Sequence, residues 1–122
     1  SPALYPRIGQ NRFKVLVNTT TVSIDEELLP FQYALHQNYP NPFNPVTTLR
    51  YDLPEQSDVT ITIYDMLGRQ VKTLINQTQD AGYRSVIWDA TNDYNKLVSA
   101  GIYLYQIQAG EYLQTKKMVL LK

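Results

Sequence analysis

The chain has 122 residues, with 11 basic side chains against 11 acidic ones, no cysteine, and 10 Tyr, 3 Phe and 1 Trp. That length suits one domain, and a unit of this size buries about two-thirds of its unfolded surface without a disulfide or metal staple. The missing cysteine excludes a disulfide scaffold, a thiolate zinc site and a cysteine nucleophile. Balanced charge removes the basic signature of a nucleic-acid binder. No apolar run approaches the ~18 residues of a membrane span. The opening Ser1-Pro2-Ala3-Leu4-Tyr5-Pro6 lacks the basic start and apolar stretch of a signal peptide. The expectation is a carboxyl-terminal piece of a larger protein.

In chain order, Phe13-Lys14-Val15-Leu16-Val17 alternates like a strand but has no hairpin partner nearby. It reads as the last strand of an upstream domain or as an extra edge strand. Residues 18–24 are Thr-rich and Asp25-Glu26-Glu27 is acidic, a composition that suits a linker. The expected organisation is therefore 1–24 for the upstream end and start of the linker, 25–37 for the linker, and 38–122 for the terminal domain. Asn38-Tyr39-Pro40-Asn41-Pro42-Phe43-Asn44-Pro45 follows, a stiff extended lead-in because each proline fixes φ and restricts the residue before it. Tyr39 and Phe43 are spaced to act as lids on one end of the domain. A proline-rich ligand would want a PxxP followed by a basic cluster, and none is present.

From there the apolar period is 2. Leu49, Tyr51 and Leu53 alternate with Arg50 and Asp52, and Val59, Ile61 and Ile63 alternate with Thr60 and Thr62. Such alternation of β-branched and aromatic residues is what a half-buried strand requires. Strands are predicted at 47–53, 58–64, 69–76, 82–89, 102–108 and 112–121. Turns are marked by Asp65-Met66-Leu67-Gly68, Asp80-Ala81-Gly82 and Ala109-Gly110-Glu111, with a longer loop over 92–101. No helix-length window holds an i, i+3, i+4, i+7 pattern. Short strands with regular turn signals define an all-β, antiparallel β-sandwich of about seven strands.

Candidate chemistry is sparse. Asp89, Asn92, Asp93 and Asn95 make an oxygen-rich loop that could ligate calcium, or could simply form turns. His36 is the one histidine, and no GxSxG, phosphate-cradling loop or HExxH occurs. Most acids flank turns, so no catalytic residue and no cofactor is assigned. Tyr103, Tyr105 and Tyr112 would form a stacking platform for sugar rings if exposed, or core if inward. The chain ends Lys116-Lys117-Met118-Val119-Leu120-Leu121-Lys122, four consecutive apolar residues bracketed by lysines. Such an end must be held in a sheet. It is either a final strand with a soluble edge, or an address in which charge gives selectivity and the strand backbone gives affinity.

NYPNPFNPVTTLRYDLP, VTITIYDMLGRQVKTL, AGYRSVIWD and SAGIYLYQIQAGEYLQTKKMVLLK occur here in one order. Over about 36–122 this resembles the carboxyl-terminal sorting domains of proteins exported by the type IX secretion system. The resemblance implies an immunoglobulin-like fold related to that of flagellar hook-capping proteins. It further implies a non-catalytic label at the end of a cargo protein, folded in the periplasm and bound by an outer-membrane translocon. A sortase-like peptidase would clip it in the linker, between about Asn18 and Gln37, and the cargo would reach the cell surface or medium. Recognition would fall on Lys116, Lys117 and the apolar end through Lys122, with YDMLGRQV and GIYLYQ as scaffold. Ala90, Asn95 and Ala100 depart from the family, which often has Gly, Gly and Ser there. The alternative is a carbohydrate-binding or spacer module ending a secreted glycoside hydrolase.

Overall fold

The structure is a computed structural model that describes residues 29–121. The expected Phe13–Val17 strand, the acidic triplet at 25–27 and Lys122 lie outside the described residues. Seven strands form in chain order: β1 (Ala34–Leu35), β2 (Thr47–Leu53), β3 (Ser57–Asp65), β4 (Gln70–Gln79), β5 (Gly82–Trp88), β6 (Gly101–Ala109) and β7 (Tyr112–Leu120). They make a three-stranded sheet ordered β1-β2-β5 and a four-stranded sheet ordered β4-β3-β6-β7. All strand pairs are antiparallel. The result is an immunoglobulin-like β-sandwich.

Alternation dictates which side chains are inside. In β2, Leu49, Tyr51 and Leu53 are buried while Arg50 is exposed; in β3, Val59, Ile61 and Ile63 are buried. β6 contributes Tyr103, Tyr105, Ile107 and Ala109, and β7 contributes Met118 and Leu120. Trp88 ends β5 inside the core, its ring 5.8 Å from Phe43 and edge-on to Tyr103 at 5.4 Å. Each such large side chain contributes about 1.5–3 kcal/mol by leaving water.

The β3–β4 hairpin shows why the turn forms where it does. Gly68 holds φ at 85°, and its N–H donates to the Asp65 carbonyl at 3.0 Å. Asp65 Oδ1 also accepts from the N–H groups of Leu67 and Arg69, each at 2.9 Å. A type I turn closed by a left-handed residue matches the strand twist. Bonding from the Arg69 N–H leads the contributions that hold the Asp65 carboxyl below its ordinary range.

Two expectations change. Ala34–Leu35, in the stretch expected as linker, pairs with β2 (Leu35 opposite Tyr51), and Leu35 is buried. The sandwich therefore starts a few residues before 38. Phe43 is a lid as expected, but Tyr39 is 73% exposed. Its side chain points away from the core because Asn38, one position earlier, takes the inward place beside Thr47.

Candidate recognition surface at the carboxyl-terminal strand

β7 is the edge strand of the four-stranded sheet, and its alternation splits the expected recognition element in two. Met118 and Leu120 are 0% and 1% exposed, members of the core. Lys117 is exposed, Val119 is half-buried, and Leu121 is 50% exposed. Lys116 faces the inner side, opposite Tyr105 in register, and is half-buried. Among the described residues neither lysine has a carboxylate within ion-pair distance.

The open edge of β7 is not open over its last residues. The Phe43 N–H donates to the Val119 carbonyl at 3.0 Å, and the Leu121 N–H donates to the Phe43 carbonyl at 2.8 Å. Asn41 Oδ1 accepts from the Val119 N–H at 3.0 Å, and Gln37 Nε2 donates to the Lys117 carbonyl at 2.8 Å. The proline-rich lead-in is thus laid along β7 in parallel. It protects the edge from pairing with another chain, and the expected use of the terminal strand backbone as the source of affinity does not fit this geometry.

Buried hydrogen bonds hold the lead-in in place. The Asn38 N–H donates to the Tyr105 hydroxyl at 2.9 Å, and that hydroxyl donates to the His36 carbonyl at 2.8 Å. Burial pushes the Tyr105 hydroxyl up to about 12. Asn38 Nδ2 donates to Thr47 Oγ1 at 3.0 Å, and that hydroxyl donates to the Pro40 carbonyl at 2.8 Å. Asn38 and Thr47 are buried, so each pairing relieves a desolvation cost.

The tyrosine platform does not form. Tyr103 and Tyr105 are 7% and 0% exposed, because odd positions of β6 face the interior. The Tyr103 hydroxyl donates to the Ser99 carbonyl at 2.6 Å, and burial raises its pKa. Tyr112 stacks on Tyr33 with ring centres 5.4 Å apart, so its face is covered as well.

In the loop after β5, side-chain oxygens are committed to protein donors. Asp89 Oδ1 accepts from the Thr91 N–H and hydroxyl, which lowers the Asp89 pKa. Asn92 Oδ1 accepts from the N–H groups of Tyr94 and Lys96. Asp93 Oδ1 accepts from the Thr73 N–H at 3.1 Å, and the Asp93 N–H donates to the Val71 carbonyl at 3.0 Å, which closes part of the β4 edge. Asn95 supplies a left-handed residue at φ 63°. Turn formation accounts for this cluster. On the outer face of the three-stranded sheet, a shallow cavity of about 330 Å³ is lined by His36, Arg50, Asp52, Tyr83, Arg84 and Ser85. His36 Nε2 lies 3.0 Å from Asp52 Oδ2 there.

The fold is an immunoglobulin-like sandwich whose final strand carries a fixed, partly apolar outward surface. Residues 37–121 match the family described as the secretion system C-terminal sorting domain, and the chain belongs to that family, which serves type IX secretion. Its role is in secretion, through interaction with the secretion system, and its destination lies toward the cell surface or medium. Among solved structures it is similar to dimeric latent PorU of Porphyromonas gingivalis, with a TM-score of 0.60 and 22% identity over 74% of this chain. The match spans only 9% of the PorU chain. FlgD of Pseudomonas aeruginosa gives a TM-score of 0.52 and 21% identity, over 75% of this chain and 76% of that one. At these identities the likeness is one of fold. No curated protein sequence matches the chain. No described helix is long and apolar enough to cross a membrane.

Proposed function

We propose that this domain is a non-catalytic address label, carried at the end of a larger exported protein and bound while folded by an outer-membrane translocon. The observation that carries this reading is the presentation of β7. Lys117, Val119 and Leu121 are fixed outward by Met118 and Leu120, which are buried on the other side of the same strand. Residues locked by packing lose little further entropy on binding. A sortase-like peptidase then separates label from cargo. Because Tyr33 to Gln37 take part in the sandwich, a cut ahead of Tyr33 leaves the label intact.

Truncating the tail is a poor test, since removing 116–122 takes Met118 and Leu120 out of the core. The better test fuses a reporter to the full chain in a cell with a type IX system and compares Lys117→Glu/Leu121→Ser with wild type. Both changes sit on exposed positions, so melting stays near wild type. The expected result is reporter trapped in the periplasm. Unimpaired export of this folded variant would count against the reading.

A further inference from the structure

A strand embedded in a sheet shows a partner only every second residue. Here that leaves Lys117, Val119 and Leu121 as the legible part of the described tail, too little for a specific interface on its own. The neighbouring residues on the same face follow from the register. Ile102 of β6 lies opposite Val119, and Leu104 lies opposite Lys117. Asp65 of β3 pairs with Tyr103, so the β3–β4 turn stands at the same end. That turn presents Met66 at 57% and Leu67 at 78% exposure, and Ile102 is 41% exposed. The hairpin tip thus adds two well-exposed apolar side chains at this end.

We propose that the secretion receptor reads one composite face, formed by Lys117, Val119 and Leu121 of the tail together with Ile102, Met66 and Leu67. This rests on the sorting reading above and adds where affinity arises. Strand addition at the tail is blocked, since both backbone groups of Val119, the Lys117 carbonyl and the Leu121 N–H are already bonded to the lead-in. Binding must come from side chains.

The partner surface is identified by chemistry. It is an apolar protein face with a carboxylate placed against Lys117, whose ammonium has no acidic partner among the described residues. A second copy meeting this face with its own would bring the acid of the turn, Asp65, which already spends Oδ1 on the Leu67 and Arg69 N–H groups and Oδ2 on Arg69 Nε at 2.8 Å.

The test uses the reporter fused to the full chain, with Met66→Ser/Leu67→Ser beside Lys117→Glu/Leu121→Ser. Thermal melting and sedimentation of the purified chains accompany it. Losing two exposed apolar contacts at an interface is expected to lower export by about tenfold or more with melting unchanged. If the turn variant exports at wild-type level while the tail variant is trapped, the tail alone is read and the composite face is refuted. If both export normally, the tail reading fails with it. A wild-type dimer that the turn variant converts to monomer also refutes the proposal, in favour of a second copy. Should the double change lower the melting midpoint, Leu67→Ser alone, at 78% exposure, is scored by the same criteria.

Discussion

Replacing Tyr105 by Phe removes one oxygen and leaves the carbon packing in place, so it isolates what the buried hydroxyl contributes. In the wild type that hydroxyl accepts from the Asn38 N–H at 2.9 Å and donates to the His36 carbonyl at 2.8 Å. Asn38 is 2% exposed and Tyr105 is 0% exposed, so water does not replace the lost partner. A buried donor stranded in this way costs about 1–3 kcal/mol. The more accessible His36 carbonyl adds less, and a total near 2 kcal/mol is expected. For a domain of this size that lowers the melting midpoint by about 8–16 °C. Urea unfolding followed by the fluorescence of Trp88, the chain's one tryptophan, reads the change directly. A loss under about 0.5 kcal/mol at unchanged m would refute the idea that this hydroxyl pins the lead-in to the sheet.

Tyr105 also sets an alkaline limit. Its folded pKa is raised from 10 to about 12, so its contribution is complete below pH 10 and declines as pH rises toward 12. The urea midpoint should fall over that window, less steeply in Tyr105→Phe; equal slopes would sink the assignment. Gly68→Ala meets nothing within 4 Å of its new Cβ, and its cost is that of a left-handed backbone at φ 85°, about 1–2 kcal/mol. Equal melting of Gly68→Ala and wild type would show that the turn relaxes. Neighbouring tail residues should behave oppositely: Met118→Ala costs about 2–5 kcal/mol by leaving a cavity, whereas Lys117→Ala stays within ~0.5 kcal/mol. Similar melting of the two would contradict the inward–outward split of β7.

Strands were legible wherever one face is buried, because burial imposes the period that alternation records. Thr47–Leu53 is placed as expected, and the others shift by one to three residues at their ends. β4 runs on through Gln77, Thr78 and Gln79 as partner to the start of β3, with no apolar signal to mark it. β1 is only Ala34–Leu35, too short to show a period. The departures at Ala90 and Asn95 proved informative. Both hold left-handed backbone, at φ 65° and 63°, where a glycine would carry no steric cost.

The surface was less legible than the core. Tyr103 and Tyr105 show the right period, but period alone does not say which of two faces is inside. The capping of β7 depends on Asn41 and Gln37 reaching residues 78 and 80 positions away. No local pattern encodes such a pairing. The exposure of Met66 and Leu67 follows from turn chemistry that demands only Asp65 and Gly68, leaving the two positions between them free for a role at the surface.

Phe43 ties the proline-rich lead-in to β7 through its backbone while its ring sits against Trp88. Start and finish of the sandwich are thereby riveted together. A ribosome that stalls before Met118 yields a product with a hole in its interior and nothing to clasp the lead-in. The first and last segments of the sandwich therefore close in one folding event, and neither is held without the other.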